Sequence, residues 1–139
     1  MSAILTLAEL EHRVKVLGVG IGATPNDLPT FGYSRDGGYP HVEVDAHHYH
    51  YITVERGQEL THIITDDLDE LLWHVFQNVA ATLATKFELK HRIAGQDFRR
   101  LMFAKRIELL GALSPVWAER ERAYVEALLL KHPYDASKY

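Results

Sequence analysis

The chain has 139 residues, with 15 Lys+Arg against 19 Asp+Glu, a formal net charge of −4 and no cysteine. That length suits one domain able to bury a core without covalent staples, and the missing thiol excludes disulfides, cysteine-ligated zinc and a cysteine nucleophile. No apolar run nears the roughly 20 residues of a membrane span, and the start of the chain lacks the basic region of a signal peptide. A soluble cytoplasmic protein that engages no membrane is expected.

Charge is unevenly distributed. Residues 1–70 carry 4 Lys+Arg and 12 Asp+Glu, whereas residues 71–139 carry 11 and 7. An acidic half of this kind attracts a basic partner and repels phosphate backbones, so nucleic acid is not expected there.

In chain order, Thr6-Leu7-Ala8-Glu9 forms a capping-box pattern, and Leu7, Leu10, Val14 and Leu17 form a stripe that predicts a first helix over about Leu7 to Leu17. Gly18, Gly20 and Gly22 are expected to end it. They resemble a phosphate loop only superficially, because no strand precedes them and no P-loop lysine follows. Ala23 to Gly38 is dense in breakers and predicts an irregular loop, with Phe31 and Tyr33 as its ties to the core.

Three β-rich runs follow, Tyr39 to Asp45, His48 to Glu55 and Leu60 to Thr65, with Arg56-Gly57 as a tight turn. On the second run His48, His50, Ile52 and Val54 share one face, and Tyr49, Tyr51, Thr53 and Glu55 the other. Either face is a candidate to meet the next helix. In that long helix Leu68, Leu71, Leu72, Val75, Phe76, Val79, Ala80, Leu83 and Phe87 make one wide apolar face. Asp66, Asp67, Asp69 and Glu70 stand at its start, where carboxylates complement the helix dipole.

Two further helices are predicted. One runs roughly from Phe98 to Leu113 after an Asp97 cap. The other starts at Ser114-Pro115, ends at His132-Pro133 and leaves a frayed tail from Tyr134 to Tyr139. Arg106 has apolar neighbours at every helical spacing, and Arg99 lies on the same side. Snorkelling at the rim is one reading, and partial burial against Glu55 and Glu59 is the other. The fold expected is therefore α+β in a single domain: an N-terminal helix, a three-stranded antiparallel meander packed against a long helix, and two C-terminal helices.

His47, His48 and His50 invite a metal or acid–base hypothesis, with Asp45 or Glu55 as the carboxylate and His41 and His62 nearby. No recognised zinc spacing is present, and no nucleophile constellation or cofactor fingerprint occurs, so neither metal nor cofactor is expected. A small histidine-dependent enzyme is the alternative function. A nucleic-acid reading would use Lys86, Lys90, Arg92, Arg99, Arg100, Lys105 and Arg106, but these are interleaved with acids, as on a solvated face.

The succession Tyr49-His50-Tyr51-Ile52-Thr53-Val54, Glu55-Arg56-Gly57-Gln58-Glu59, Asp67-Leu68-Asp69-Glu70-Leu71-Leu72-Trp73 and Val75-Phe76, followed by Asp97-x-Arg99-Arg100 and Trp117, resembles bacterial immunity proteins of polymorphic-toxin and contact-dependent-inhibition systems. It is most similar to the immunity protein 63 family, over roughly Tyr39 to Trp117. The resemblance implies a cytoplasmic, non-catalytic neutraliser that binds the C-terminal domain of a cognate toxin and blocks its active site or an exosite. It assigns no contact residues. Charge singles out Asp45, Glu59, Asp66, Asp67, Asp69 and Glu70 as candidates, with Tyr49 and Tyr51 as aromatic anchors and a basic nuclease as a partner that carboxylates would suit.

Overall fold

The structure is a computed structural model that describes residues 3–135. Among these residues the architecture is α+β, with four α-helices and a four-stranded mixed sheet. The chain divides into two compact units, Met1–Phe76 and Gln77–Tyr139, and the border falls within one helix. No helix among the described residues is long and apolar enough to cross a membrane.

The first unit opens with α1, Leu7–Gly20. Thr6 Oγ1 accepts from the Glu9 amide at 3.1 Å and Glu9 Oε1 accepts from the Thr6 amide at 2.9 Å, so the expected capping box is in place. The helix outlasts the expected end at Leu17. Gly18 lies against Leu28, where an added methyl would stand 2.9 Å from Leu28 Cδ2. Gly22, at φ +80, then lets the chain turn so that the Ala23 amide reaches the Gly18 carbonyl at 2.9 Å. The glycine run is thus a close approach and a helix exit.

The segment expected to be irregular contains a 3-10 turn, Pro25–Asp27, and a two-residue strand β1, Thr30–Phe31, that pairs in parallel with β2, Pro40–Val44. This corrects the expected three-stranded antiparallel meander to a four-stranded mixed sheet. Two residues are too few to show a period, and parallel pairing leaves no hairpin signature in the sequence. Tyr33 does not tie the segment down, being 61% exposed. That part falls to Asp27 and Leu28, both buried, and to the Tyr39 hydroxyl, which sits 2.7 Å from the Asn26 carbonyl and 2.5 Å from that of Leu28.

β3, Tyr49–Glu55, and β4, Gln58–Thr65, complete the sheet in the order β1-β2-β3-β4, with β2, β3 and β4 antiparallel as expected. Arg56 and Gly57 both take positive φ, 53° and 76°, the two-residue turn whose twist matches a hairpin. Thr53 pairs with Thr61, but Val54 pairs with Glu59, so Leu60 is an extra residue on β4.

The tyrosine face is the one turned to the helices. Tyr49 and Tyr51 are buried beside Val42, the Tyr51 ring lies 6.1 Å from that of His74 on α2, Leu68–Lys90, and the Tyr49 hydroxyl accepts from the Leu5 amide at 2.8 Å. Leu10 and Val14 of α1 and Leu71, Leu72, Trp73, Val75 and Phe76 of α2 are buried in the same unit. Substituting Tyr49→Phe leaves the Leu5 amide without its acceptor. It is expected to lower stability by about 1 kcal/mol, read as a lower denaturant midpoint at unchanged slope.

The second unit holds the remainder of α2, with Val79, Ala80 and Ala84 buried, and two helices, α3, Arg99–Leu113, and α4, Pro115–Lys131. Ser114 Oγ accepts from the Trp117 amide at 3.2 Å and Pro115 occupies the first helical position, as expected. Phe103, Leu109, Leu110, Trp117, Ala118 and Val125 are buried, and Gly111 lets α3 approach Ala118 closely.

Arg106 is not a snorkelling residue, and neither Glu55 nor Glu59 is its partner. Its guanidinium lies 2.7 Å from Glu121 on α4, a carboxylate with no exposure at all, whose other oxygen accepts from Gln77 Nε2 at 3.3 Å. Arg99 is held by Asp97 at 2.8 Å and donates to the carbonyls of His132 and Pro133, both at 2.8 Å. The expected frayed tail lies outside the described residues from 136 onward. Its first two residues are engaged: the Arg100 guanidinium stands 4.0 Å over the Tyr134 ring, and the Asp135 amide donates to Asp97 at 3.0 Å.

Candidate functional site

The face of β2, β3 and β4 opposite the tyrosines carries His41, Glu43, His50, Ile52, His62 and Ile64, because His41 pairs with Ile52 and Ile52 with His62 in register, and Glu43 with His50 and His50 with Ile64. His41 and Ile52 are buried, whereas Glu43, Asp45, Glu59 and His62 are exposed. Alternation alone would send Glu59 and His62, three residues apart, to opposite faces. The extra residue Leu60 between them restores them to one side, and Glu59 Oε2 meets His62 Nδ1 at 3.0 Å.

From there a continuous row of polar contacts crosses two strands. His62 Nε2 lies 2.8 Å from His50 Nδ1, and His50 Nε2 lies 2.5 Å from Asp45 Oδ2. The second oxygen of Asp45 accepts from the amides of His47 and His48, each at 2.8 Å, closing the turn between β2 and β3. The hydrogen bond from His50 and these amides hold the Asp45 carboxyl well below the usual carboxylate range. His41 makes a separate pair, Nε2 to Glu43 Oε2 at 3.0 Å.

The second acidic group stands at the start of α2. Asp67 Oδ1 accepts from the amides of Asp69 at 2.9 Å and Glu70 at 3.4 Å, which makes Asp67 a helix cap. Glu70 Oε1 lies 3.1 Å from His74 Nε2. Asp66 and Asp69 are exposed. Asp66 and Asp67 line an open groove together with Ala3, Ile4, Ala46, His47 and His48.

Of the eight residues singled out by sequence, six carboxylates therefore belong to these two groups, while Tyr49 and Tyr51 are core residues 1% and 7% exposed. Burial pushes the Tyr51 hydroxyl up to about 12. His47, His48 and His50, the histidines of the alternative reading, do not converge: consecutive rings stand 6.5 Å apart, and the contact of His50 is His62 on the adjacent strand. Among the described residues no three histidine, aspartate or glutamate side chains are placed to hold a metal ion. Glu43 was missed by sequence reading, and only the β2–β3 register reveals that it stands opposite His50.

A model of the family described as immunity protein 63 matches residues 45–127, more than half of the chain. The chain belongs to the immunity protein 63 family. No curated protein and no solved structure matches it. The immunity protein 63 match begins at Asp45 and takes in the Asp45-to-Glu59 row, both acidic groups and all of α2 and α3. It also continues past Trp117, further into α4 than the resemblance reached. α1, β1 and β2 lie before it.

Proposed function

We propose that the chain is a cytoplasmic immunity protein that binds the C-terminal domain of a cognate toxin and neutralises it by covering its active site or an exosite, without turnover of its own. Family membership supports the immunity role. The nature of the partner is carried by one observation: residues 40–70 hold eight carboxylates and a single cation, Arg56, and the two acidic groups lie in the same compact unit. Such a surface steers a basic protein toward it and disfavours phosphate backbones. A basic toxin, such as a nuclease whose own site receives phosphates, is the partner that this charge suits.

An acid–base role for the histidines has less support. Both ring nitrogens of His50 and both of His62 are engaged by Asp45, Glu59 or each other, so an acid–base role would require a substrate first to break a contact of that row. In the basic half, Arg92, Arg99, Lys105 and Arg106 are ion-paired with Glu88, Asp97, Glu108 and Glu121, so their charge is largely answered within the protein.

The test is co-expression with the toxin domain encoded immediately upstream, scoring survival and copurification. Survival with a stable complex is expected. The double variant Asp66→Lys/Asp69→Lys, which spares the capping Asp67, is expected to slow association by about tenfold or more at low salt. Cell death despite soluble, folded protein, with no complex, would overturn the pairing.

A further inference from the structure

Glu59 and Asp45 are acceptors when ionised, so His62 must donate from Nδ1 and His50 from Nε2. That leaves His62 Nε2 and His50 Nδ1 facing one another at 2.8 Å. Two bare lone pairs at that distance repel, and two N–H groups collide. One proton between them satisfies the geometry, so the row reads carboxylate, imidazole, proton, imidazole, carboxylate, with one positive charge on the pair of rings. The other titratable groups around it are Glu43 opposite His50, His41 bonded to Glu43, and His48, whose Nδ1 is 3.8 Å from Asp45. Arg56 in the β3–β4 turn is the one Lys or Arg between residues 40 and 70.

The shared proton is thus the only cation that this row holds, and it sits between partly exposed rings flanked by two exposed carboxylates. We propose that the row is a proton-linked docking seat for a basic side chain of the toxin: an arginine or lysine cation takes the place of the proton, and complex formation releases it. The proton leaves the His50–His62 pair as its two ring nitrogens become acceptors for the incoming N–H donors, so charge is conserved, with one cation exchanged for another. Because the free protein holds a proton that the complex does not, affinity falls as pH drops, by up to about tenfold per pH unit.

This inference rests on the immunity reading, and the experiment separates the two. Binding of the upstream toxin domain is measured by calorimetry at one pH in two buffers of different ionisation enthalpy, and then from about pH 8 to about pH 6. Release of roughly one proton is expected for the native chain, and of almost none for His62→Gln or Glu59→Gln, two exposed positions whose variants are checked for folding by circular dichroism. Nitrogen-15 spectra of the free protein are expected to show one proton shared between His50 Nδ1 and His62 Nε2, with His50 Nε2 and His62 Nδ1 protonated. Binding without proton release, the same release from the variants, or spectra with no proton shared between the two rings would overturn the docking seat and leave the immunity reading intact. Absence of any complex at any pH would overturn both.

Discussion

Replacing Arg106 by alanine is expected to cost about 3–5 kcal/mol of stability. The variant strands the carboxylate of Glu121, which is wholly buried and then has Gln77 at 3.3 Å as its remaining hydrogen-bond partner in the second unit. An ionised carboxylate taken out of water with so little compensation either carries its desolvation cost or binds a proton. The pair is not worth that much as a pair, however. Arg106 Nε is buried without a partner among the described residues, so the guanidinium is itself incompletely satisfied. The double variant Arg106→Met/Glu121→Leu, which fills similar volume with apolar atoms, is therefore expected to recover to within about 1 kcal/mol of the native chain or to exceed it. Denaturant unfolding followed by Trp117 fluorescence measures all three. A double variant as weak as Arg106→Ala would show that the ion pair, rather than the stranded charge, carries the stability.

Asp97→Asn is expected to be nearly as damaging, about 3 kcal/mol at neutral pH, and its cost is expected to vanish in acid. Asp97 is 1% exposed and accepts from the Arg99 amide at 3.0 Å, the Arg99 guanidinium at 2.8 Å and the Asp135 amide at 3.0 Å. The Arg99 guanidinium, helped by these amides and opposed by burial, holds its carboxyl well below the ordinary carboxylate range. Because the folded-state value is depressed, the stabilisation is fully present above the unfolded value of about 3.9 and is lost as pH falls below it. The native chain is expected to weaken steeply below about pH 4, and Asp97→Asn to show a flatter acid limb that converges with it. A native curve parallel to that of the variant throughout this range would remove Asp97 as the cause.

Local features were legible where the chemistry is local. Thr6 with Glu9, Arg56 with Gly57 and Ser114 with Pro115 each complete their hydrogen bonds or dihedrals within four residues, and each stands where the sequence puts it. The apolar face of α2 was legible because its period persists for several turns. What stayed hidden depends on contacts between distant segments. β1 exists only because β2 lies beside it, and Glu121 becomes the partner of Arg106 only once α3 and α4 pack. In the candidate site, Asp45 and Glu59 were visible as charges, but their connection through His50 and His62 required the strand register and one irregularity in it. Tyr49 and Tyr51 looked equally suited to surface or core, since alternation defines two faces without saying which one is covered.

That irregularity has a second consequence. β4 is the last strand of the sheet and eight residues long, and a flat, regular margin of that length offers a row of backbone donors and acceptors on which another chain can add a strand. The extra residue at Leu60 breaks the even spacing of that row and twists it locally, while Glu59 and His62 place polar side chains on either side of the break. The feature that assembles the row of carboxylate and imidazole contacts therefore also guards the sheet against growing by self-association. A variant lacking Leu60 would lose both properties together.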